Sequence, residues 1–408
     1  MADGGLLLHE LSFVPEGDDV VVGRLDTGSY AVFPSDGAEL LKQLAQGMPL
    51  SAAADWYESV FDEPVDLDDF VATLEELGFV REGREGEEQP GGVPAPPVRL
   101  RRLGRAVFSL PAWGCYLAVL GAWAWTLARH SDLAPHPSQI FFVHSLLVVQ
   151  LVITFGQVPL LLLHESFHIL AGRRLGLPTR LRLSNRLTYI VAETQINGLL
   201  SVPRAKRYLP FLAGIVCDGV VLGTFGLVAD AARNPDGSFS LVSRVCLALA
   251  FTVAVRVLWQ FQLYLRTDLY YVAATAWNCY DLHDAAMMLL KNRVRRLTGR
   301  PDRVVDEEQW TPRDRRVGNF YGPFIVLGYG ALAGITVFVS VPVMREYFGI
   351  AWQAITSGHV NAAFWDAAVS LCMNVAQVVA LVVLSRRKRR EKELSTPKTS
   401  PSAEVELA

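Results

Sequence analysis

Two histidines and a glutamate in the run HESFH are the residues of this sequence best placed to do chemistry. They are His164, Glu165 and His168. On a helix, residues at i and i+4 share one face, so both imidazoles can bind one Zn²⁺. Zinc at such a site activates a water molecule and polarises a carbonyl, while a neighbouring carboxylate takes the proton of the water. The spacing therefore predicts zinc-dependent hydrolysis of a peptide bond, with His164 and His168 as ligands and Glu165 as general base and later proton donor to the leaving amine.

The surroundings of this motif favour a functional role. A HExxH string is short and occurs by chance in unrelated proteins, so its spacing alone carries limited weight. Here it ends a long apolar run, LLLLHESFHILAG. Ionisable groups inside a lipid bilayer are costly and rare, and they mark functional sites. The alternative is a pair of histidines that cap a helix near the lipid headgroups.

The composition of the chain predicts a membrane protein. Of its 408 residues, 51% are hydrophobic, which is high for a soluble protein. The charges divide unevenly: residues 1–88 hold 21 of the 41 acidic residues but four of the 38 basic ones, so an acidic head precedes a basic, apolar body. Five scattered cysteines form neither a disulfide framework nor a CxxC zinc motif, and we expect them to be small buried residues.

Six apolar segments are each long enough to cross about 30 Å of hydrocarbon as a helix. They lie near residues 106–128, 140–171, 208–228, 245–265, 320–341 and 364–384. Basic residues cluster before the first segment, after the second, after the fourth and after the last. The positive-inside rule places these alternate connections, and with them both termini, in the cytoplasm. We therefore expect a multi-pass protein of the cell membrane without an N-terminal secretory signal.

A hydrolytic zinc site needs a third protein ligand that leaves one coordination position open. Asp268, in YLRTDLYYV, follows the fourth segment at the depth expected for HESFH, and we predict it as the third ligand. Asp218 lies near the middle of the third segment, level with Arg256 in the fourth, which favours a buried ion pair between them. Glu193, in VAETQIN, falls in a loop after the motif helix and ranks last of the three candidates.

The chain divides into four parts. Residues 1–81 predict a small sheet followed by three helices, because strand-like runs such as VVVGR and SYAVF precede three segments with helical spacing. Residues 82–98 have the proline, glycine and glutamate content of a linker. Residues 99–385 form the predicted membrane domain. Residues 386–408 predict a disordered basic and polar tail.

The head resembles the PqqD-like domain, a compact winged-helix fold that binds leader peptides of ribosomally made, modified peptides. The matching sequence begins DDVVVGRLDTGSYAVFPSDGAELLKQLAQG and ends VATLEELGFV, about a fifth of the chain. The resemblance implies that a leader peptide adds as a strand to the edge of the sheet. The alternative is a small regulatory or folding domain without affinity for peptides.

The membrane domain resembles the site-2 protease family, in particular its peptide zinc metalloprotease branch, over roughly residues 105–385. In that family a HExxH helix and a later helix with an Asp-Gly motif form the zinc site. The run FQLYLRTDLYYVAA is similar to the NPxxxxDGYYVL pattern of the branch, and FLAGIVCDGV is similar to its Ala-Gly-Pro segment. The resemblance implies that His164, His168 and Asp268 bind zinc. Leu269 replaces the glycine, so an obstructed helix break and weakened activity are alternatives.

Together these features predict a mainly α protein, in which a small α+β winged-helix head precedes a polytopic six-helix membrane domain of site-2 protease type. The expected function is that of a membrane zinc metallopeptidase in leader removal or maturation of a ribosomally made modified peptide. The expected partners are a precursor or leader peptide and the lipid bilayer, with no nucleic acid. The alternatives are a regulatory intramembrane protease and a catalytically silent scaffold or export partner for modified peptides. The sequence does not predict the oligomeric state.

Overall fold

The computed structural model is mainly helical and describes most of the chain. The described residues are 6–24, 29–81, 98–186, 189–196, 198–307, 310–335, 337, 341–356 and 360–395. All but the last residue of the predicted linker, 82–98, lies outside these ranges. So does the end of the predicted tail.

The head is a three-stranded antiparallel sheet followed by three helices, as predicted. Strands β1 (Leu11–Glu16), β2 (Asp19–Arg24) and β3 (Ser29–Pro34) pair in sequence order. The helices are α1 (Ser35–Ala45), α2 (Leu50–Phe61) and α3 (Leu67–Glu76). Inward-facing strand residues meet the apolar faces of the helices. This core buries Val22, Phe33, Leu41, Leu74 and Phe79.

Five helices in the described part of the chain are long and apolar enough to cross a membrane. They are α5 (Leu110–Arg129), α6 (Leu146–Arg174), α7 (Arg204–Ala231), α8 (Leu241–Trp259) and the first part of α13 (Ala362–Ser395). The other helices are α4 (Arg101–Val107), α9 (Asp268–Trp277), α10 (Leu282–Leu297), α11 (Pro312–Ile335) and α12 (Val341–Thr356). The five coincide with five of the six predicted segments, and they support a membrane protein.

The remaining predicted segment, 320–341, overlaps α11, which is not one of these five helices. The first turns of α11 carry the charged run PRDRR. The helix also lies close to α10, because a Cβ on Gly318 would be 3.2 Å from the backbone nitrogen of Ala286. A count of six membrane helices therefore stays a prediction.

Helix α6 carries the HESFH motif and is a single helix of 29 residues that continues through Pro159. It begins later than the predicted segment 140–171. Asp366 of α13 holds its N-terminus, since the carboxylate accepts hydrogen bonds from the backbone nitrogens of Leu146 at 2.8 Å and Leu147 at 3.2 Å. These amides have no partner within their own helix, and a negative charge is favourable at a helix N-terminus. A distant helix therefore stabilises the start of α6.

A β-hairpin follows α6 where the sequence predicted a loop. Its strands, β4 (Thr179–Arg186) and β5 (Tyr189–Ile196), pair antiparallel. The hairpin packs tightly on α6: a Cβ on Gly172 would lie 2.6 Å from Cγ2 of Thr179 and 3.1 Å from Cγ2 of Ile196. The alternation of apolar and polar residues in TRLRLSNR is typical of a strand, but the arginines also fit a basic loop.

The predicted disordered tail, 386–408, needs a correction in its first part. Helix α13 continues to Ser395. The run RRKRREKEL contains good helix formers and neither glycine nor proline, so nothing in it ends the helix. The next helix breaker in the sequence is Pro397.

Candidate metal centre

His164, Glu165 and His168 lie together on α6 and are all buried, each less than a tenth exposed. The Nε2 atoms of the two histidines are 3.2 Å apart. At 1.5 Å per residue, about 15 Å of helix separates His164 from the end of α6 at Arg174. The motif therefore lies within the apolar helix, nearer to its C-terminal end.

Asp268 joins the two histidines. Its Oδ2 atom is 3.4 Å from Nε2 of His164 and 3.2 Å from Nε2 of His168. Among the described residues, these three form the one group of His, Cys, Asp or Glu side chains with ligand atoms close enough for a metal ion. Ligands at about 2.0 to 2.1 Å from a tetrahedral zinc lie roughly 3.3 to 3.4 Å from one another. The three distances between Nε2 of His164, Nε2 of His168 and Oδ2 of Asp268 therefore match those between three of the four ligands of one zinc ion.

The opposite nitrogen of each ring faces a hydrogen-bond acceptor. Nδ1 of His164 is 2.9 Å from Oδ2 of Asp218, and Nδ1 of His168 is 2.7 Å from the carbonyl oxygen of Pro210. These acceptors assign the proton of each neutral imidazole to Nδ1. Both Nε2 lone pairs then face the carboxylate oxygen of Asp268. This arrangement is repulsive unless a proton or a metal cation lies between the three atoms.

Two further observations test whether a cation fits the cluster. Within the described part of the chain, the buried Oδ2 atom of Asp268 has no hydrogen-bond partner, although buried polar atoms normally have one. Gly214 of α7 lies so close that a Cβ there would be 2.3 Å from Nε2 of His168 and 2.4 Å from Nε2 of His164. The rings can occupy this position because residue 214 has no side chain. Two imidazoles and one carboxylate are a donor set that suits zinc.

Asp218, the alternative third ligand, lies on the other side of His164. It is fully buried and accepts two hydrogen bonds from Arg256, with Nε 2.9 Å from Oδ2 and Nη2 2.5 Å from Oδ1. The predicted ion pair between these two residues is confirmed. Because Asp218 also accepts a hydrogen bond from Nδ1 of His164, it orients that ring. It lies outside the group formed by the two Nε2 atoms and Oδ2 of Asp268.

A break in the helix before Asp268 brings this residue to the cluster. Helix α8 ends at Trp259, earlier than the predicted segment 245–265. Arg266 then adopts the left-handed conformation, with φ at +55°. The chain therefore turns before α9 begins, without a glycine after the aspartate. The break precedes Asp268, and α9 continues without interruption through Leu269, so an effect of Leu269 on substrate entry and activity stays a prediction.

Gln260 bridges this break with both of its oxygen atoms. Its backbone carbonyl accepts a hydrogen bond from the hydroxyl of Thr267 at 2.6 Å, and its Oε1 accepts from the backbone nitrogen of Asp268 at 3.0 Å. The second contact satisfies one of the free amides at the start of α9. Gln260 could not be identified from the sequence, because nothing in its spacing relates it to the HESFH motif.

Thr194 on β5 contacts the predicted general base, a contact that the sequence did not predict. Its hydroxyl donates a hydrogen bond of 2.7 Å to Oε2 of Glu165. The alternation in YIVAETQI was the available signal, but such a pattern predicts a strand and not the helix on which the strand packs. Glu193, the lowest-ranked candidate ligand, also lies on β5, and its side chain is outside the described residues.

Comparisons of the chain with protein-family models, with curated proteins and with solved structures find no match. The site is therefore defined by the geometry of this chain alone: two buried imidazoles and a carboxylate, beside a glutamate, in a helical membrane protein. The resemblances to the site-2 protease family and to the PqqD-like domain stay predictions.

Proposed function

We propose that this protein is a membrane-embedded zinc metalloendopeptidase of site-2 protease type. The observation that carries the proposal is the convergence of Nε2 of His164, Nε2 of His168 and Oδ2 of Asp268 within 3.4 Å of one another. The other nitrogen of each ring already has a partner. Three protein ligands leave one position for water or substrate, which is the arrangement of catalytic zinc sites.

Each residue of the cluster then has one role. His164, His168 and Asp268 hold Zn²⁺, which when bound supplies a Lewis acid for the scissile carbonyl and for a water molecule. Glu165, next to the first ligand and buried with it, accepts the proton of the attacking water and returns it to the leaving amine. Thr194 orients the Glu165 carboxylate through the hydrogen bond to Oε2.

The head supports a peptide as substrate. Strands β1 and β3 form the two edges of its sheet, and an extended peptide can add to such an edge through main-chain hydrogen bonds. With the resemblance to the PqqD-like domain, this supports recruitment of a precursor whose leader binds the head and which is cleaved at the membrane. A six-helix membrane domain with both termini in the cytoplasm is part of the same proposal.

Replacement of the general base separates the chemistry from metal binding. Glu165→Gln is expected to keep one zinc per chain, measured by elemental analysis, and to lose hydrolysis of a leader-bearing precursor peptide. Glu58→Gln, at an exposed position of α2, is the matched control and should retain both properties. Unchanged proteolysis by the Glu165→Gln protein would exclude this mechanism.

Two other results would favour the alternatives. Purified wild-type protein without stoichiometric zinc would support a catalytically silent scaffold or export partner for modified peptides. Zinc-containing protein that cleaves a membrane-tethered factor, but whose full chain binds no soluble leader peptide, would support a regulatory intramembrane protease.

A further inference from the structure

Glu16, the last residue of β1, is a buried carboxylate at the contact between the head and the membrane domain. Only 5% of its side chain is exposed. Nη1 of Arg207 lies 3.0 Å from its Oε1 and 3.3 Å from its Oε2, and the hydroxyl of Tyr280 donates to the same Oε2. One acidic side chain of the head therefore receives hydrogen bonds from two residues of the membrane domain.

Arg207 uses its remaining donors to hold the segment that precedes α7. Its Nε donates to the carbonyl of Val202 at 2.7 Å, and its Nη2 donates to the carbonyl of Leu200 at 2.9 Å. Strands β1 and β2 lie against the 3₁₀ turn Leu199–Ser201 in the same segment. The guanidinium therefore connects the sheet of the head, this turn and the first residues of α7.

The two donors belong to parts of the chain that position the candidate metal ligands. Arg207 lies three residues before Pro210, whose carbonyl accepts the hydrogen bond from Nδ1 of His168. Tyr280 follows α9, whose first residue is Asp268. Glu16 is therefore hydrogen-bonded to α7, which orients His168, and to the segment after α9, which supplies Asp268.

Helices α7 and α9 also contact each other directly. The rings of Phe211 and Tyr271 stack, with centroids 5.4 Å apart and planes inclined by 14°. Arg204 at the start of α7 donates to the carbonyl of Ala276 near the end of α9. A displacement of the first turns of α7 would therefore be transmitted to α9.

The chemistry of this contact favours a defined orientation of the head. A buried ion pair adds little stability compared with well-packed apolar residues, but loss of one partner leaves an uncompensated charge. The contact also joins the acidic head to a basic segment, since arginines are frequent between residues 173 and 207. A carboxylate that accepts three hydrogen bonds, from one guanidinium nitrogen and one hydroxyl in fixed positions, specifies one docked arrangement more strictly than an apolar surface does.

We propose that Glu16 is a positioning residue for the metal centre. Through Arg207 and Tyr280, the docked head holds α7 and α9 in the arrangement that brings the Pro210 carbonyl and Asp268 to the two histidines. The inference rests on the proposed function, because it takes the cluster as a zinc site. The affinity of this site for zinc then depends on the docking of the head.

The zinc affinity of the full-length protein in detergent micelles, measured by competition with a chromophoric chelator, tests this inference without a substrate. Residues that orient metal ligands typically contribute 10- to 100-fold to affinity, and Glu16→Gln is expected to weaken zinc binding about 10-fold. It should also shift the d–d absorption bands of the Co²⁺-substituted protein. Glu16→Asp should recover part of the affinity. Glu10→Gln, at an exposed position of the same head, is the matched control and should change neither readout.

Wild-type zinc affinity and an unchanged Co²⁺ spectrum in Glu16→Gln would overturn the inference. If that variant does not fold, Tyr280→Phe removes a single hydroxyl and should weaken zinc binding about threefold. No change in that variant would overturn the inference equally. Failure of wild-type protein to bind zinc would overturn the proposed function as well, whereas a zinc-binding wild type with unaffected variants overturns this inference alone.

Discussion

Asp218 accepts a hydrogen bond of 2.9 Å from Nδ1 of His164 and so determines which nitrogen of that imidazole faces Asp268. Asp218 is in turn held by the two hydrogen bonds from Arg256. A carboxylate on the outer nitrogen is the usual way in which proteins orient a metal-binding histidine. The two aspartates therefore have different roles: Asp218 orients a ring, and Asp268 contributes an oxygen atom to the cluster.

Replacement of each aspartate should therefore change zinc binding to a different degree. Asp268→Ala removes one of three candidate ligands and is expected to abolish stoichiometric zinc. Asp218→Asn keeps an acceptor for His164 but leaves Arg256 without its counter-charge, and is expected to lower zinc affinity about 10- to 100-fold. Elemental analysis and chelator competition measure the two effects. Zinc loss in the Asp218 variant with zinc retained in the Asp268 variant would instead identify Asp218 as the third ligand.

Gly214→Ala tests how closely α7 approaches the histidines. The added Cβ would lie 2.3 to 2.4 Å from atoms of both imidazole rings, so we expect loss of zinc binding and a lower melting temperature. Gly219→Ala is the control on the same helix, because among the described residues its Cβ would meet only Cδ2 of Leu120, at 3.8 Å. Zinc affinity equal to that of wild type in the Gly214 variant would show that the rings do not pack against α7 in this way.

Thr194→Val tests the contact between the hairpin and the general base. The substitution keeps the shape of the side chain but removes the hydroxyl that donates to Glu165. Zinc content should stay at the wild-type level, while kcat for peptide hydrolysis falls about 10- to 100-fold because the carboxylate loses its orientation. Thr194→Ser retains the hydroxyl and should recover most of the rate. Equal rates for the valine and serine variants would exclude a role for this hydrogen bond.

A hydrogen bond in the head makes its stability depend on pH. The hydroxyl of Tyr57 donates to Asp36, which holds the pKa of that carboxyl below its ordinary value of 3.8, and the same bond raises the pKa of Tyr57 to about 12. The contribution of Asp36 to the stability of the head is therefore present above pH 3.8. It is lost as the pH falls through the lower pKa that Asp36 has in the folded protein. The contribution of Tyr57 to stability is present below pH 10 and is lost as the pH rises through about 12, the pKa of Tyr57 in the folded protein.

Hydrogen–deuterium exchange in α1 and α2 checks this dependence. Tyr57→Phe should exchange faster than wild type near neutral pH, because it lacks the bond to Asp36. The difference between the two proteins, corrected for intrinsic exchange rates, should shrink once the pH falls below the ordinary pKa of Asp36. A difference that stays constant over this range would contradict the assignment.

Much of the fold could be predicted because it depends on local patterns. Long apolar segments predicted α5, α6, α7, α8 and α13, and short alternating runs predicted the sheet of the head. The end of α8 could not be predicted, because its apolar sequence continues past Trp259 and the break depends on contacts made by Gln260. The hairpin after α6 was missed for a similar reason, since its strands are stabilised by pairing and by packing on Gly172.

The sequence by itself determined the part of the candidate site that lies on a single helix. His164 and His168 share one face in any helix, because four residues make about one helical turn, and Glu165 is next to His164 in the chain. Only the tertiary structure decided which aspartate faces the Nε2 atoms and that Thr194 contacts the glutamate. Asp268 follows His168 by 100 residues, and such distant contacts depend on the packing of helices and on where they break, which residue spacing along the chain does not specify.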